Sequence, residues 1–187
     1  MRGLCINQWL DCGILIDGNV GAANDIVITG NFIGTNVAGN AALPNRVGIG
    51  ISGDSTGVGA VSGTIIGSDA EGNRNLIAGS FGFSLIDNYG LRGASISVFD
   101  AIDTSIVGNY IGVDRNGTTA LGNSQQGVLL RFAEAGVLGS PGVLGRNVIS
   151  GHFLMGGRIR DSFDCIIENN YVGTNVFGNA ALPNGGQ

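Results

Sequence analysis

The sequence predicts an all-β fold in which short strands wind into a right-handed, single-stranded parallel β-helix, a solenoid of about eight rungs. This fold would form one domain over residues 1–187. Three observations lead to the prediction: internal repeats, short β-branched segments in which apolar residues alternate, and a high glycine content. Together they favour coils made only of strands and turns.

The longest repeat joins a Gly-Asn turn to a short apolar segment and a Pro-containing loop. It covers residues 30–45, returns with few changes at 169–184, and has a looser copy that begins at Gly108. Repeats of several tens of residues are typical of stacked architectures, in which each copy covers the apolar face of its neighbour.

Two shorter repeats complete the pattern. The motif Arg-Asn-x-Ile-x-Gly occurs at residues 74–79 and 146–151, and a degraded form occurs at 2–7. A glycine followed by alternating apolar residues occurs at 13–16, 48–51, 127–130 and 157–160. Three kinds of segment within each 72 residues predict that one turn of the solenoid uses about 24 residues.

Matching positions of the repeats should become vertical neighbours in parallel sheets, with strands about 4.8 Å apart. One inward position is predicted for Ile28, Ile106 and Ile167, and a second for Ile33, Ile111 and Val172. The corner between them is predicted to hold Asn31, Asn109 and Asn170. Asparagine tolerates left-handed corner conformations and bonds to nearby backbone groups, so these residues are interpreted as structural.

Composition excludes several classes of protein. With 43% apolar and 12% charged residues the chain should fold, and its 35 glycines follow no collagen period. The net charge of −5, with nine Lys plus Arg, provides no basic surface for nucleic acid. No apolar stretch reaches the ~18 residues of a membrane span, and the N-terminus has no signal-peptide pattern.

Cys5, Cys12 and Cys165 are odd in number and lack CxxC spacing. They are interpreted as buried thiols, with a disulfide or a metal site as the alternative. The sequence indicates no metal site and no cofactor.

The combined pattern GNxIGTxxxGxxALxN, GxxIxI and RNxISG resembles the parallel β-helix repeats of the pectate-lyase-like superfamily, especially those of large bacterial surface or secreted proteins. For a piece of such a protein, the resemblance implies an extracellular or cell-surface location. The superfamily includes polysaccharide lyases, glycoside hydrolases, epimerases, phage tailspikes and adhesins, so the resemblance implies a fold but no single activity.

One polar cluster is a candidate ligand site: His152, Arg158, Arg160, Asp161 and Asp164. Two unpaired arginines cannot point into an apolar core, so we expect this strand to shift its register by one residue, with Ile159 inward and both arginines outward. An outward arginine pair could hold an acidic sugar; a solvated group of ion pairs is the alternative. Asp161 and Asp164 also lie where Asp commonly forms turns.

A glycosidase needs two carboxyl groups roughly 5 to 9.5 Å apart. Asp17, Asp87 and Asp161 follow corresponding strands, but three rungs of separation would place them about 14 Å apart. We therefore identify no catalytic residue and expect a non-catalytic scaffold or binding module, surface or adhesin-like or carbohydrate-contacting. A polysaccharide lyase or glycoside hydrolase is the alternative.

The chain opens inside a repeat at Arg2 and stops inside another at Asn184, with no capping segment. We therefore expect either a fragment of a longer repeat array or self-association through open rung ends or a face of the helix.

Overall fold

The computed structural model describes residues 1–19, 21–54, 59–82, 91, 93–122 and 125–185. The described residues form strands, turns and bends without a helix, and the strands pair in parallel in four sheets. The described part of the chain thus provides no helix that is long and apolar enough to cross a membrane. This architecture agrees with the predicted all-β solenoid.

The chain visits the four sheets in a fixed order, so that neighbouring strands of one sheet come from successive turns. Sheet I contains β1 (Cys5–Ile6), β5 (Phe32–Ile33), β9 (Leu76–Ile77), β13 (Tyr110–Ile111), β16 (Val148–Ile149) and β19 (Tyr171–Val172). Sheet II contains β2 (Cys12–Asp17), β6 (Val47–Ser52), β10 (Ala94–Phe99), β14 (Gln126–Arg131) and β17 (Gly157–Arg160). Sheet III contains β3 (Ala23–Asn24), β7 (Val61–Ser62) and β11 (Ala101–Ile102). Sheet IV contains β4 (Val27–Ile28), β8 (Ile65–Gly67), β12 (Ser105–Val107), β15 (Val137–Leu138) and β18 (Ile166–Ile167).

Inward side chains stack into apolar columns that form the core. The column of sheet IV is Ile28, Ile66, Ile106, Leu138 and Ile167. The column of sheet I is Ile6, Ile33, Ile77, Ile111, Ile149 and Val172. Both predicted inward positions are confirmed, because their members belong to these two columns. β-branched residues suit this environment, since their stiff side chains pack closely on a pleated surface.

The corner between sheets IV and I carries a ladder of asparagines. Each side-chain amide donates to Oδ1 of the asparagine on the next rung. The donor–acceptor distances are 3.0 Å for Asn31 to Asn75, 2.9 Å for Asn75 to Asn109, 3.2 Å for Asn109 to Asn147 and 2.8 Å for Asn147 to Asn170. The predicted corner position of Asn31, Asn109 and Asn170 is confirmed. In those three rungs the left-handed residue is the one before the asparagine: Gly30, Gly108 and Asn169.

The predicted period of about 24 residues is wrong, because two of the three repeat classes occupy the same strand position. Leu76, from the Arg-Asn class, pairs with Phe32 and Tyr110 from the Gly-Asn class. Paired positions in sheet I are 27, 44, 34, 38 and 23 residues apart. The described residues therefore stack six strands in sheet I in place of about eight rungs.

The Pro-containing repeat adds a hairpin to every second rung, and this explains the variable spacing. Antiparallel bridges close the hairpins at Thr35–Ala42, Val113–Ala120 and Thr174–Ala181. Backbone hydrogen bonds join each hairpin to the next. The N–H of Arg115 donates to the carbonyl of Gly39, and the N–H of Val176 donates to the carbonyl of Gly117, both at 2.8 Å. They cover a second apolar cluster on the outer face of sheet I: Leu76, Tyr110, Val113 and Val148.

The arginines of the Arg-Asn class link the two kinds of rung. The guanidinium of Arg74 lies 4.1 Å from the ring centroid of Tyr110, and its Nε donates to the carbonyl of Gly108 (3.0 Å). Arg146 makes the same contact with Tyr171, at 4.0 Å. Two consecutive rungs, one of each kind, thus form the repeating unit of the structure.

Candidate functional site

The register of β17 determines where its arginines point. Ile159 pairs with Leu130, whose side chain is buried in the core, while Arg158 pairs with Leu129 and Arg160 with Arg131. Because side chains alternate along a strand, Ile159 shares the inward side with Leu130 and both arginines face outward. The predicted shift of one residue is confirmed.

An open groove of about 320 Å³ lies on this outer face of sheet II. We call it the arginine groove; its lining residues are Gln125, Gln126, Leu129, Arg131, Leu154, Arg158 and Arg160. Three guanidinium groups therefore meet two leucine side chains and two amides. The volume is in the range of ordinary small-molecule sites.

Arg131 belongs to the groove, although sequence reasoning missed it. Its guanidinium lies 5.2 Å from the ring centroid of Phe99 and 4.9 Å from that of Phe132, and the two rings meet edge to face at 5.7 Å. Aromatic faces attract cations and hold the guanidinium in place. The alternation of the segment 127–131 could have indicated this position, because it places Val128 and Leu130 inward and Arg131 outward.

Two polar atoms in the groove have no hydrogen-bond partner within the described protein. Gln126 is 6% exposed, and its Oε1 is buried and accepts no hydrogen bond. The Nε of Arg131 is buried and donates none. A buried polar group without a partner costs about 1–3 kcal/mol, and in a ligand site a bound molecule would supply the missing bond.

Asp161 and Asp164 lie at corners and do not line the groove. Both have left-handed backbones, with φ values of 51° and 54°, as the turn interpretation predicts. Asp161 pairs with Nε of Arg160 at 2.9 Å. Because both side chains are about half exposed, this ion pair stabilises the fold by at most about 1 kcal/mol. It does restrict the guanidinium of Arg160 at the edge of the groove.

His152 is separate from the groove, at the corner between sheets I and II. It is 2% exposed, and its backbone N–H donates to Oδ1 of Asn184 (3.0 Å). Burial lowers the pKa of His152 from 6.5 to about 4, against the opposing effect of a hydrogen bond with the backbone of Ile111. The imidazole is therefore neutral at pH 7, and its burial keeps it from contacting a ligand in the groove.

Asp17 and Asp161, the two of the three candidate carboxylates that lie among the described residues, do not converge. Asp17 lies at the first strand of sheet II, and its pairing column runs through Ser52, Phe99 and Arg131 to Arg160. It is therefore about 19 Å from Asp161, four strand spacings away. Asp87 lies outside the described residues. Among the described residues no group of three or more His, Cys, Asp or Glu side chains could hold a metal ion.

The three cysteines are free thiols. The prediction of buried thiols is wrong for Cys5, which is exposed at the edge strand β1; Cys12 and Cys165 are half-buried. Burial, followed by the charge and hydrogen bond of Asp11, raises the pKa of Cys12 to about 12. The Cys12 thiol is therefore protonated and unreactive at neutral pH.

Comparison with protein-family models, with curated protein sequences and with solved structures finds no match to this chain.

Proposed function

We propose that the chain is a non-catalytic β-helix binding module that holds an anionic carbohydrate in the arginine groove. The observation that carries the proposal is the buried, unpartnered Oε1 of Gln126 in the same groove as Arg131, Arg158 and Arg160. An acceptor with no partner fits a sugar hydroxyl, and outward guanidinium groups fit a carboxylate or a sulfate.

The apolar part of the groove supports a sugar over a simple anion. Leu129 and Leu154 offer apolar surface beside the charged groups, which suits the C–H face of a pyranose ring. Arg158 and Arg160 lie two positions apart on one strand, about 6.6 Å along its axis. That separation allows them to bind different groups of one ligand.

We also infer that the solenoid is a right-handed β-helix of the pectate-lyase-like kind. The stacked parallel sheets, the asparagine ladder and the apolar columns support this assignment, and parallel β-crossovers are right-handed in nearly all proteins. A location at a cell surface and self-association of the module belong to the same proposal.

Isothermal titration with hexagalacturonate tests the proposed ligand class. We expect binding that weakens as salt rises, and a loss of roughly tenfold or more in affinity for Arg158→Ala and for Arg160→Ala, since a bond to a charged group contributes about 1.5–3 kcal/mol. Arg115→Ala is the matched control, because Arg115 is exposed on a hairpin far from the groove. Absence of binding, or equal losses in all three variants, contradicts the proposal.

Gln126→Leu separates a ligand contact from a structural role. The substitution removes an acceptor that has no partner, so the free energy of unfolding should stay the same or rise while affinity falls. A variant that loses stability and keeps its affinity contradicts the assignment of Oε1 to a ligand.

A polysaccharide lyase or glycoside hydrolase is the alternative activity, and the same oligosaccharide tests it. New unsaturated or reducing ends that appear with the wild type and vanish with Arg160→Ala would replace the binding module with an enzyme. We expect neither product, because the described residues that line the groove include no carboxylate.

A further inference from the structure

The middle hairpin over sheet I differs from the other two in the sequence of its tip. All three hairpins are closed by an antiparallel bridge at matching positions. The first and third tips read Asn-Val-Ala-Gly-Asn (36–40) and Asn-Val-Phe-Gly-Asn (175–179), while the middle tip reads Asp-Arg-Asn-Gly-Thr (114–118). Its last three residues, 116–118, form the only Asn-x-Ser/Thr triplet of the chain. This triplet is the acceptor motif for N-linked glycosylation, which occurs in surface loops of exported proteins.

The two side chains that the motif requires are accessible. Asn116 and Thr118 are both exposed at the tip of the hairpin. The tip is closed by other atoms: Oδ1 of Asp114 accepts the backbone N–H groups of Thr118 (2.8 Å) and Thr119 (2.9 Å), and the carbonyl of Asp114 accepts that of Gly117 (2.8 Å). None of these bonds uses the side chain of Asn116 or Thr118. A change at either side chain therefore leaves the closure of the hairpin intact.

In the other two hairpins the side chain at the last position of the tip is already bonded. Nδ2 of Asn36 donates to Oδ1 of Asn40 (2.8 Å), and Asn175 makes the same bond with Asn179 (2.9 Å). The carboxylate of Asp114 has oxygen acceptors and no N–H group, so it cannot donate in this way. The middle hairpin thus keeps the backbone bonds of its neighbours and presents a threonine hydroxyl to solvent where they have a bonded amide.

We propose that Asn116 carries an N-linked glycan. In this reaction Nδ2 of Asn116 forms a bond to C1 of a sugar carried on a polyprenyl diphosphate. The bond from C1 to the phosphate oxygen breaks, the lipid diphosphate leaves, and the amide gives up one proton. Asp114 supplies the acidic residue that bacterial oligosaccharyltransferases require two positions before the acceptor. Since Asp114 also holds the folded tip closed, we expect transfer to the exported chain before the hairpin folds.

The surroundings of Asn116 suit a hydrated group. Val37 and Phe177, at the tips of the flanking hairpins, are 77% and 69% exposed. Backbone hydrogen bonds hold both of these hairpins against the middle one, and each lies two strand spacings, about 9.6 Å, from it. An oligosaccharide at Asn116 is long enough to cover both apolar tips, which would otherwise form an exposed apolar strip along the hairpins.

The modification requires export of the chain and therefore rests on the cell-surface location within the proposed function, but it does not depend on the arginine groove. To test the acceptor apart from the native location, the chain is exported with a cleavable signal into the periplasm of a bacterial host. The host carries an oligosaccharyltransferase and its lipid-linked oligosaccharide. Mass spectrometry of the intact wild type should show one added glycan, and peptide mapping should place it on Asn116.

Three variants assign the site. Asn116→Gln and Thr118→Ala should abolish the added mass. Thr119→Ala is the matched control and should retain it, because Thr119 is also exposed and its N–H bonds to the same carboxylate oxygen, but it lies outside the motif. Exported wild type without a glycan overturns the proposal, and so does a glycan that persists in Thr118→Ala or is lost in Thr119→Ala.

Thermal unfolding tests whether the folded hairpin accommodates the glycan. The glycosylated wild type should unfold at the same temperature as Asn116→Gln or at a higher one, because the modified side chain is exposed and closes no part of the tip. A lower melting temperature would contradict the assignment of the glycan to this hairpin. None of these measurements involves a ligand of the arginine groove, so a failure here leaves the binding proposal to its own titration, and the reverse also holds.

Discussion

The side-chain amide of Asn75 donates a 2.9 Å hydrogen bond to Oδ1 of Asn109, and that oxygen also accepts the backbone N–H of Asn75 at 3.2 Å. One side chain thereby serves two donors of the neighbouring rung. The amide of Asn109 in turn donates to the carbonyl of Ile66 at 2.8 Å. Corner backbone groups that leave the sheets are satisfied in this way.

Asn109→Ala should therefore destabilise the fold by about 3 kcal/mol or more, because several buried polar groups lose their partners at once. Urea unfolding measures the change. Asn116→Ala is the control: Asn116 is exposed on a hairpin and its loss should cost less than about 0.5 kcal/mol. Similar costs for the two variants would mean that the ladder contributes no stability of its own.

His152 makes the stability depend on pH. Its pKa is about 4 in the folded chain and near 6.5 in an unfolded one, so the unfolded chain takes up a proton first as the pH falls. The contribution of His152 is complete above pH 6.5 and declines toward pH 4, by about 3 kcal/mol in total. Below pH 4 both states are protonated and the decline stops.

His152→Asn should remove this decline while retaining the fold, because asparagine occupies the same corner at Asn184. The free energy of unfolding, measured between pH 4 and 7 for both proteins, checks the prediction. If the free energy of unfolding changes with pH in the same way for the wild type and His152→Asn, then the pKa of His152 is not lowered in the folded chain.

Gly117 anchors a hairpin over sheet I. Its φ is +68°, and a Cβ there would lie 2.8 Å from Cβ of Val176 and 3.1 Å from the ring of Tyr110. Gly117→Ala should cost about 3 kcal/mol, from backbone strain plus overlap. Gly142→Ala should cost only about 1 kcal/mol, since its φ is +91° with open space around it. Thermal unfolding distinguishes the two.

Self-association should involve the edge strands β17, β18 and β19. They expose Ile159, Ile167 and Val172 at 41%, 53% and 54%, beside backbone groups with no neighbouring strand. We expect dimers or larger species by light scattering at micromolar concentration, and Ile167→Lys should shift them toward monomer. Val143→Lys, at another exposed apolar position, should leave the distribution unchanged.

Local patterns predicted the strands, the inward columns and the corner asparagines because alternation and turn chemistry act over a few residues. The period could not be obtained in the same way. Leu76 and Tyr110 share a column, yet their flanking letters differ because Arg74 packs on Tyr110. The Arg-Asn and Gly-Asn motifs were therefore interpreted as two different strands of one short rung. In the structure they form the same strand of sheet I on successive rungs.

The candidate site was predicted in part. Alternation and the cost of a buried charge predicted the outward direction of Arg158 and Arg160. The role of Arg131 was missed because its contact with Phe99 is made across two rungs and cannot be read from the adjacent Phe132 alone. The burial of His152 was also missed, since a polar residue after Ser-Gly gives no indication of the glycines that make room for it. A Cβ at Gly112 would lie only 2.6 Å from the imidazole.

The alternation of two kinds of rung limits how such a chain can change in length. Each hairpin lies on the previous hairpin across a rung that has none, and each Arg-Asn rung supplies the cation that covers the next tyrosine. Excising one Arg-Asn rung would force two hairpins into the space of one and leave a ring uncovered, while excising one hairpin rung would leave an arginine without its ring. Growth or shortening of the solenoid by tandem duplication should therefore proceed by pairs of rungs.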